Sequence, residues 1–448
     1  MADHTLEDAL REATDTVRVE VGPRALERVE SVFRECFGDS PAIVVADAVT
    51  FDVAGRTVDE QMRAAGRSVL EPYVFPAQPH AALENVELLR TALSRTEAIA
   101  VAVGSGTIND LVKRASHELD RPYLVVATAA SMDGYTAFGA PITVDGFKKS
   151  LSCPAPRALV ADLDVLAAAP PAMAASGYGD LLGKLTAGAD WMIADALGIE
   201  AIDRRVWPFL QEPFRRALGR PASLAAGDPG AFAGLAEGLV ISGLTIQMYA
   251  SSRPGSGAEH LFSHLWEMEG LGVHESPPLS HGIKVGLGSV AAAALYEQLL
   301  ALDLDAIDID ARVAAWPGEA EVEARVRELF PNPALVGTAV EQTLAKYVDG
   351  PALAERLRLL VQAWPTLRSE LAAQLLPAAQ FQQMLRDAGA PTHPGEVGLS
   401  MAQLQDTYTR AQMIRSRYTV LDLAVETGTL DACVDRLFAP DGFWGAQA

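Results

Sequence analysis

Val101–Asp110 reads VAVGSGTIND, and this stretch decides the fold. Its opening apolar run suits a buried strand, Gly104-Ser105-Gly106 breaks it, and a helical pattern begins near Thr107. A strand that runs through a glycine loop into a helix is the building unit of a parallel α/β sheet. Glycine lets the backbone approach a diphosphate closely, and the helix start adds N-terminal amides and the positive end of its dipole. The third glycine of a full dinucleotide fingerprint is absent. Taken alone, the stretch therefore fits a phosphate cradle and a plain strand-to-helix turn equally well.

Working outward, the same alternation recurs through the first 170 residues. Pro41–Asp47, Ser68–Phe75, Ala98–Val103, Tyr123–Thr128 and Ala158–Leu163 are short apolar or β-branched runs with helical patterns between them. They predict parallel strands joined by crossover helices. Ile142–Cys153 departs from the alternation, because two strand-like runs flank Asp145-Gly146, a hairpin signal. After Pro170-Pro171 the pattern turns helical and stays so, as in Ala311–Phe330 and Pro351–Leu376. The expectation is an α/β Rossmann-like domain over residues 1–168 and an all-α domain over 169–448. The crevice between two such halves is the default place for a site.

Composition narrows the chemistry. The chain has 448 residues, with 36 basic against 58 acidic side chains and a formal net charge of −22. Such a balance opposes binding to nucleic acid or an anionic membrane, so an anionic substrate needs a local cluster of cations or a metal. Cys36, Cys153 and Cys433 are widely spaced, which suits a reducing cytoplasm and offers no disulfide framework. The acidic N-terminus has no signal-peptide pattern, and no apolar run is read as reaching the roughly 18 residues of a membrane-spanning helix.

Two further groups of residues carry chemistry. Thr128-Ala129-Ala130-Ser131-Met132-Asp133-Gly134-Tyr135-Thr136 follows a strand, at the sheet edge where ligands bind in open α/β folds. Asp47 ends the first apolar run, where it could accept a ribose hydroxyl or cap a helix. Four of the eight histidines, His260, His264, His274 and His281, fall within one short window. Ser256-x-x-Glu259 reads as a capping box that starts a helix with His260 and His264 on one face. Asp180 opens another helical segment, with Lys184 one turn further on. One carboxylate and two or three imidazoles with an open position make a catalytic metal site. His4, His80, His117 and His393 lack such a context and are read as structural.

In order along the chain, GSGTIND, TAASMDGYT, VDGFKK, SGYGDLLGK, SRPGSGAEHLFSH and HGIKVGLG closely resemble the glycerol-1-phosphate dehydrogenases. These are a branch of the iron-containing alcohol dehydrogenase and dehydroquinate synthase-like superfamily. The resemblance spans about residues 40–290. It implies a two-domain dehydroquinate synthase-like fold and the reversible reduction of dihydroxyacetone phosphate to sn-glycerol 1-phosphate. The implied cofactors are NADH or NADPH and one divalent ion, zinc or nickel, with iron(II) as an alternative.

Carried over by position, the resemblance makes Asp180, His260 and His281 the metal ligands. Asp180, His264 and Lys184 become the catalytic group, and Asp133, Asp180 and His264 meet the substrate. Lys148, Lys149, Lys184 and Arg253 are the candidates for its phosphate. Gly104, Gly106, Thr107, Ile108, Asn109 and Asp110, with Thr128, Ala129, Ala130 and Ser131, face the nucleotide. Ala137 stands where bacterial relatives carry a serine. A carboxylate at Asp47 would repel a 2′-phosphate, which favours NADH. A homo-oligomer is the base expectation. The alternative is a metal-dependent dehydrogenase of the same superfamily acting on another polyol or phosphorylated ketone.

Overall fold

The computed structural model describes residues 4–76, 78–144, 147–275 and 278–447. Six parallel strands form one sheet in the order β1-β8-β5-β4-β2-β3. They are β1 (Arg18–Gly22), β2 (Ala42–Asp47), β3 (Tyr73–Phe75), β4 (Ile99–Gly104), β5 (Tyr123–Ala127) and β8 (Ala158–Asp162). The strands β4, β5 and β8 are buried along their whole length, and β2 is buried except at Asp47. Near-continuous apolar sequence is what a parallel strand covered on both faces requires. Val44, Val101, Val103, Leu124, Val126 and Val160 pack with Val29, Val32, Phe33, Val58 and Met62 from the covering helices.

The edge strand β1 went unread in the sequence. Its RVEVG alternates charge with valine, and all five residues are only half-buried. Beside this sheet, β6 (Ala140–Val144) and β7 (Phe147–Leu151) pair antiparallel, as a hairpin requires. The turn residues read for it, Asp145 and Gly146, lie outside the described residues.

The order of the strands sets a switch point. Chain order runs outward from β2 to β3 on one side and from β4 to β5 on the other, so β2 and β4 are the neighbours at which direction reverses. Ligands in open α/β sheets bind beyond the carboxyl ends of such a pair. Asp47 ends β2 and Gly104 ends β4, which puts both at that edge.

Two compact units are present. The first comprises residues 1–181, 205–255 and 387–389; the second comprises 182–204, 256–386 and 390–448. The described residues of the second unit form helices and their connecting segments, with no strand among them. The first also contains helices, including Pro229–Tyr249, and here the sequence reading needs correction. That helix is long and apolar enough to cross a membrane, with a mean hydropathy of 1.4 over its best window, but 83% of the window is buried inside the protein. Glycine and alanine keep it slim, and the core around it accounts for its apolarity.

Candidate active site

The helix Gly106–His117 begins one residue after the Gly104-Ser105 turn, close to its expected start. Its N-cap, Ser105, makes no side-chain capping bond, so backbone amides and dipole dominate this end of the helix. Gly104 has a steric reason to be glycine. A Cβ there would meet the Ile108 Cβ at 2.6 Å. Gly106 and Thr107 are half-buried, whereas Ile108, Asn109 and Asp110 are buried. Asn109 serves the loop opposite. Tyr123 donates to its Oδ1 at 2.9 Å, and its Nδ2 donates to the Gly134 carbonyl at 3.2 Å.

That loop is held by a residue the sequence reading passed over. Lys113 is fully buried, and its Nζ donates to the carbonyls of Gly134, Ala137 and Gly139 at 2.9, 2.9 and 3.0 Å. The positions Thr128, Ala129, Ala130 and Ser131 leave β5 at the ligand edge and are themselves largely buried. Ala137 is buried too, and Thr136 donates to the Val240 carbonyl at 2.9 Å. Asp47 caps a short helix: its Oδ1 accepts from the Thr50 amide at 2.9 Å.

The long helix Pro171–Ala196 carries Asp180 and Lys184 on successive turns, both fully buried. Oδ2 of Asp180 accepts from the Asp133 amide at 3.0 Å, and the Asp133 carboxylate accepts from Ser242 Oγ at 2.8 Å. One ligand atom each from Asp180, His260 and His281 lie within 4.8 Å of one another. His264 completes a triangle of imidazoles, with ring centroids 5.9 Å from His260 and 5.6 Å from His281. His274 is exposed.

The helix that bears His260 and His264 runs Ala258–Met268. Its expected capping box does not form, because the N-cap is Gly257 and no side chain caps it. Glu259 turns inward instead. Its Oε1 accepts from the Gly257 amide at 2.6 Å and faces His260 Nδ1 at 2.8 Å, and its Oε2 accepts from Thr186 at 2.7 Å. Burial pushes the Glu259 carboxyl upward in pKa; the Thr186 and Gly257 hydrogen bonds and the charge of Lys184 pull it back. Asp190, also fully buried, accepts from the Ala258 amide at 2.6 Å, the Tyr296 hydroxyl at 2.6 Å and the Val420 amide at 2.8 Å. Two acidic residues thus hold the first turn of the histidine helix, where its dipole is positive.

His281 opens the helix His281–Leu300. Its Nδ1 lies 2.8 Å from Oε1 of Glu267. With both Nδ1 atoms engaged by carboxylates, Nε2 is the nitrogen that each histidine offers to a metal. One carboxylate and two imidazoles suit a four-coordinate zinc, nickel or iron(II) ion with a position open to substrate. The donor set fits a divalent ion.

The cation candidates separate. Arg253 is fully buried in a short turn, Arg253–Gly255, and Lys149 is exposed on the hairpin. Lys148 lies in β7, but its side chain is outside the described residues. Lys184 lies buried one turn beyond Asp180 and acts on Glu259.

The parallel sheet with its switch-point edge, and a donor set of one carboxylate and two imidazoles, fit the iron-containing alcohol dehydrogenases. The family model for iron-containing alcohol dehydrogenase matches residues 20–170. The fold is similar to that of a glycerol dehydrogenase from Schizosaccharomyces pombe, with a TM-score of 0.61 and 16% identity, covering 95% of this chain and 91% of that one. A glycerol-1-phosphate dehydrogenase (NAD(P)+) of Halalkalibacterium halodurans is 30% identical, covering 84% of each chain. The Bacillus subtilis protein of the same name is also 30% identical, covering 87% of this chain and 86% of its own. The chain belongs to the glycerol-1-phosphate dehydrogenase family, and it is an oxidoreductase.

Proposed function

We propose that this enzyme reduces dihydroxyacetone phosphate reversibly to sn-glycerol 1-phosphate, with an NAD(P) cofactor and a divalent metal. The observation that carries the reading is the convergence of Asp180, His260 and His281 within 4.8 Å, in a chain whose relatives bear that activity in their names. Zinc or nickel suits this N/O donor set, and NADH is the preferred nucleotide, given the Asp47 carboxylate at the switch-point edge. Residues 1–168 form the dinucleotide part, and residues 169–448 supply metal and substrate contacts.

A bound divalent ion would supply Lewis-acid stabilisation of charge on the substrate's C2 oxygen, and the nicotinamide would supply or accept the hydride. The chain's own contribution is placement. Asp180, His260 and His281 would hold the ion, with Glu259 and Glu267 fixing the two imidazoles. The loop Gly104–Asp110 and residues Thr128–Ser131 would carry the nucleotide. Asp133, braced by Ser242, would orient a substrate hydroxyl, and His264 would hold or relay its proton. Lys148, Lys149, Lys184 and Arg253 are the cations proposed to offset the phosphate in a chain of net charge −22.

A homo-oligomer acting in the cytoplasm is the accompanying proposal, supported by the base rate for such enzymes and by three free cysteines. The test is turnover of dihydroxyacetone phosphate against dihydroxyacetone, with metal-loaded enzyme and NADH. Consumption of the phosphorylated ketone alone supports the reading. Equal or preferential use of the unphosphorylated ketone refutes it and favours a polyol dehydrogenase of the same superfamily.

A further inference from the structure

Glu267 lies one turn beyond His264 and two turns beyond His260 on the same helix, and the proposed reaction uses only its contact with His281. Its Oε1 is 2.8 Å from His281 Nδ1 and 3.5 Å from Lys284 Nζ, while its Oε2 is 3.7 Å from His264 Nδ1. Only 10% of the side chain is exposed. The half-buried Arg415 also acts on it electrostatically. A single carboxylate therefore meets two histidines with different proposed roles, one a metal ligand and one a substrate contact. Two cations lie close enough to offset its burial.

We infer that Glu267 is a positioning residue that ties the metal ligand His281 to the substrate-side His264. The inference rests on the proposed metal-dependent reaction. A carboxylate only accepts hydrogen bonds, so its contact with His281 Nδ1 places the proton on that nitrogen and presents Nε2 to the ion. Its other oxygen, 3.7 Å from His264 Nδ1, is beyond direct hydrogen-bond distance and faces that ring electrostatically. Lys284, one turn into the His281 helix, ties Glu267 to that helix, so the two histidine-bearing helices are locked through one side chain. Losing Glu267 should therefore affect two measurable quantities together, metal affinity and substrate binding. A residue that merely fills space would change neither in a folded protein.

The test compares full-length wild type, Glu267→Ala and Glu267→Gln, each stripped of metal and titrated with zinc against a chromophoric chelator. Steady-state kinetics at saturating zinc and circular dichroism melts complete the set. Alanine should weaken zinc binding about 10- to 100-fold. It should also raise KM for dihydroxyacetone phosphate even when the metal site is full. Glutamine keeps an acceptor but no charge, so its zinc affinity should fall between the other two. Unchanged zinc affinity in either folded variant overturns the inference, and if alanine does not fold, glutamine decides alone. Failure of the wild-type chain to bind zinc, nickel or iron(II) would instead overturn the metal-dependent reading, and this inference with it.

Discussion

Oε1 of Glu259 stands 2.8 Å from Nδ1 of His260, its immediate neighbour in the chain, at the first turn of the histidine helix. Adjacent residues on a helix project about 100° apart, so this contact needs both side chains to fold back toward the same buried spot. Thr186 and the Gly257 amide supply the carboxylate's other hydrogen bonds there. Replacing Glu259 by alanine removes the acceptor of two buried donors, the Gly257 amide and His260 Nδ1, whereas the Thr186 hydroxyl keeps the Gly183 carbonyl at 2.9 Å. The expected cost is about 1–3 kcal/mol for each donor left unsatisfied, together with a 10- to 100-fold loss of metal affinity. Urea unfolding and zinc competition measure the two effects separately.

Asp47 both caps a helix and stands at the switch-point edge, and two variants separate those roles. Asp47→Asn retains a capping oxygen and removes the charge, so it should shift preference toward NADPH with little loss of stability. Asp47→Ala should shift preference similarly and also lose about 0.5–2 kcal/mol of stability. Comparing kcat/KM for NADH and NADPH in each variant tests this. An unchanged ratio in both would remove Asp47 from the nucleotide site.

A methyl group at Gly177 would sit 2.1 Å from the Ala130 carbonyl oxygen, so the long helix and the Thr128–Ser131 loop cannot both keep their places in Gly177→Ala. Overpacking of this kind costs about 1–3 kcal/mol. Because the displaced backbone belongs to the proposed nucleotide loop, the dissociation constant for NADH should rise as well. Fluorescence titration of NADH beside a thermal melt reads both; a stable variant with normal NADH binding contradicts the prediction.

Burial pushes the thiol of Cys153 up to about 11, from an ordinary 9.0, with Lys113 pulling the other way. In the native state this thiol keeps a proton that the unfolded chain gives up sooner. Below pH 9 both states are protonated and the contribution to stability is fully present. Between pH 9 and about 11 the unfolded chain binds fewer protons, so stability falls as pH rises. The loss amounts to roughly 2–3 kcal/mol. Buried tyrosines add an alkaline slope of their own, so the comparison is with Cys153→Ala. Wild type should lose stability more steeply than the variant from pH 9 to 11 by urea unfolding, and parallel curves would count against the prediction.

The sheet was legible in the sequence because its central strands are buried on both faces and therefore apolar throughout. Strand β1 was not, because its charged edge positions erase that pattern. The histidines at i and i+4 announced a shared face, and Asp180 and His281 joined them through the resemblance of motifs. The partner of His281 stayed hidden, because Glu267 stands on a separate helix and meets it only through packing. Glu259 carried a capping signal in the sequence, yet a buried pocket beside Thr186 and Lys184 claims its side chain. Glu267 had a readable cue, being i+3 from His264, but exposed helix faces carry the same spacing everywhere. Lys113 gave no cue at all, since nothing local distinguishes a lysine that binds three distant carbonyls from one in solvent.

The most direct test of the central claim joins metal dependence to stereochemistry. Enzyme stripped by chelation is assayed with NADH and dihydroxyacetone phosphate before and after zinc or nickel is restored, and the configuration of the glycerol phosphate is determined enantioselectively. The account predicts negligible turnover without metal, and sn-glycerol 1-phosphate as the sole enantiomer once metal returns. Full activity in the stripped enzyme, or formation of the 3-phosphate enantiomer, would contradict it.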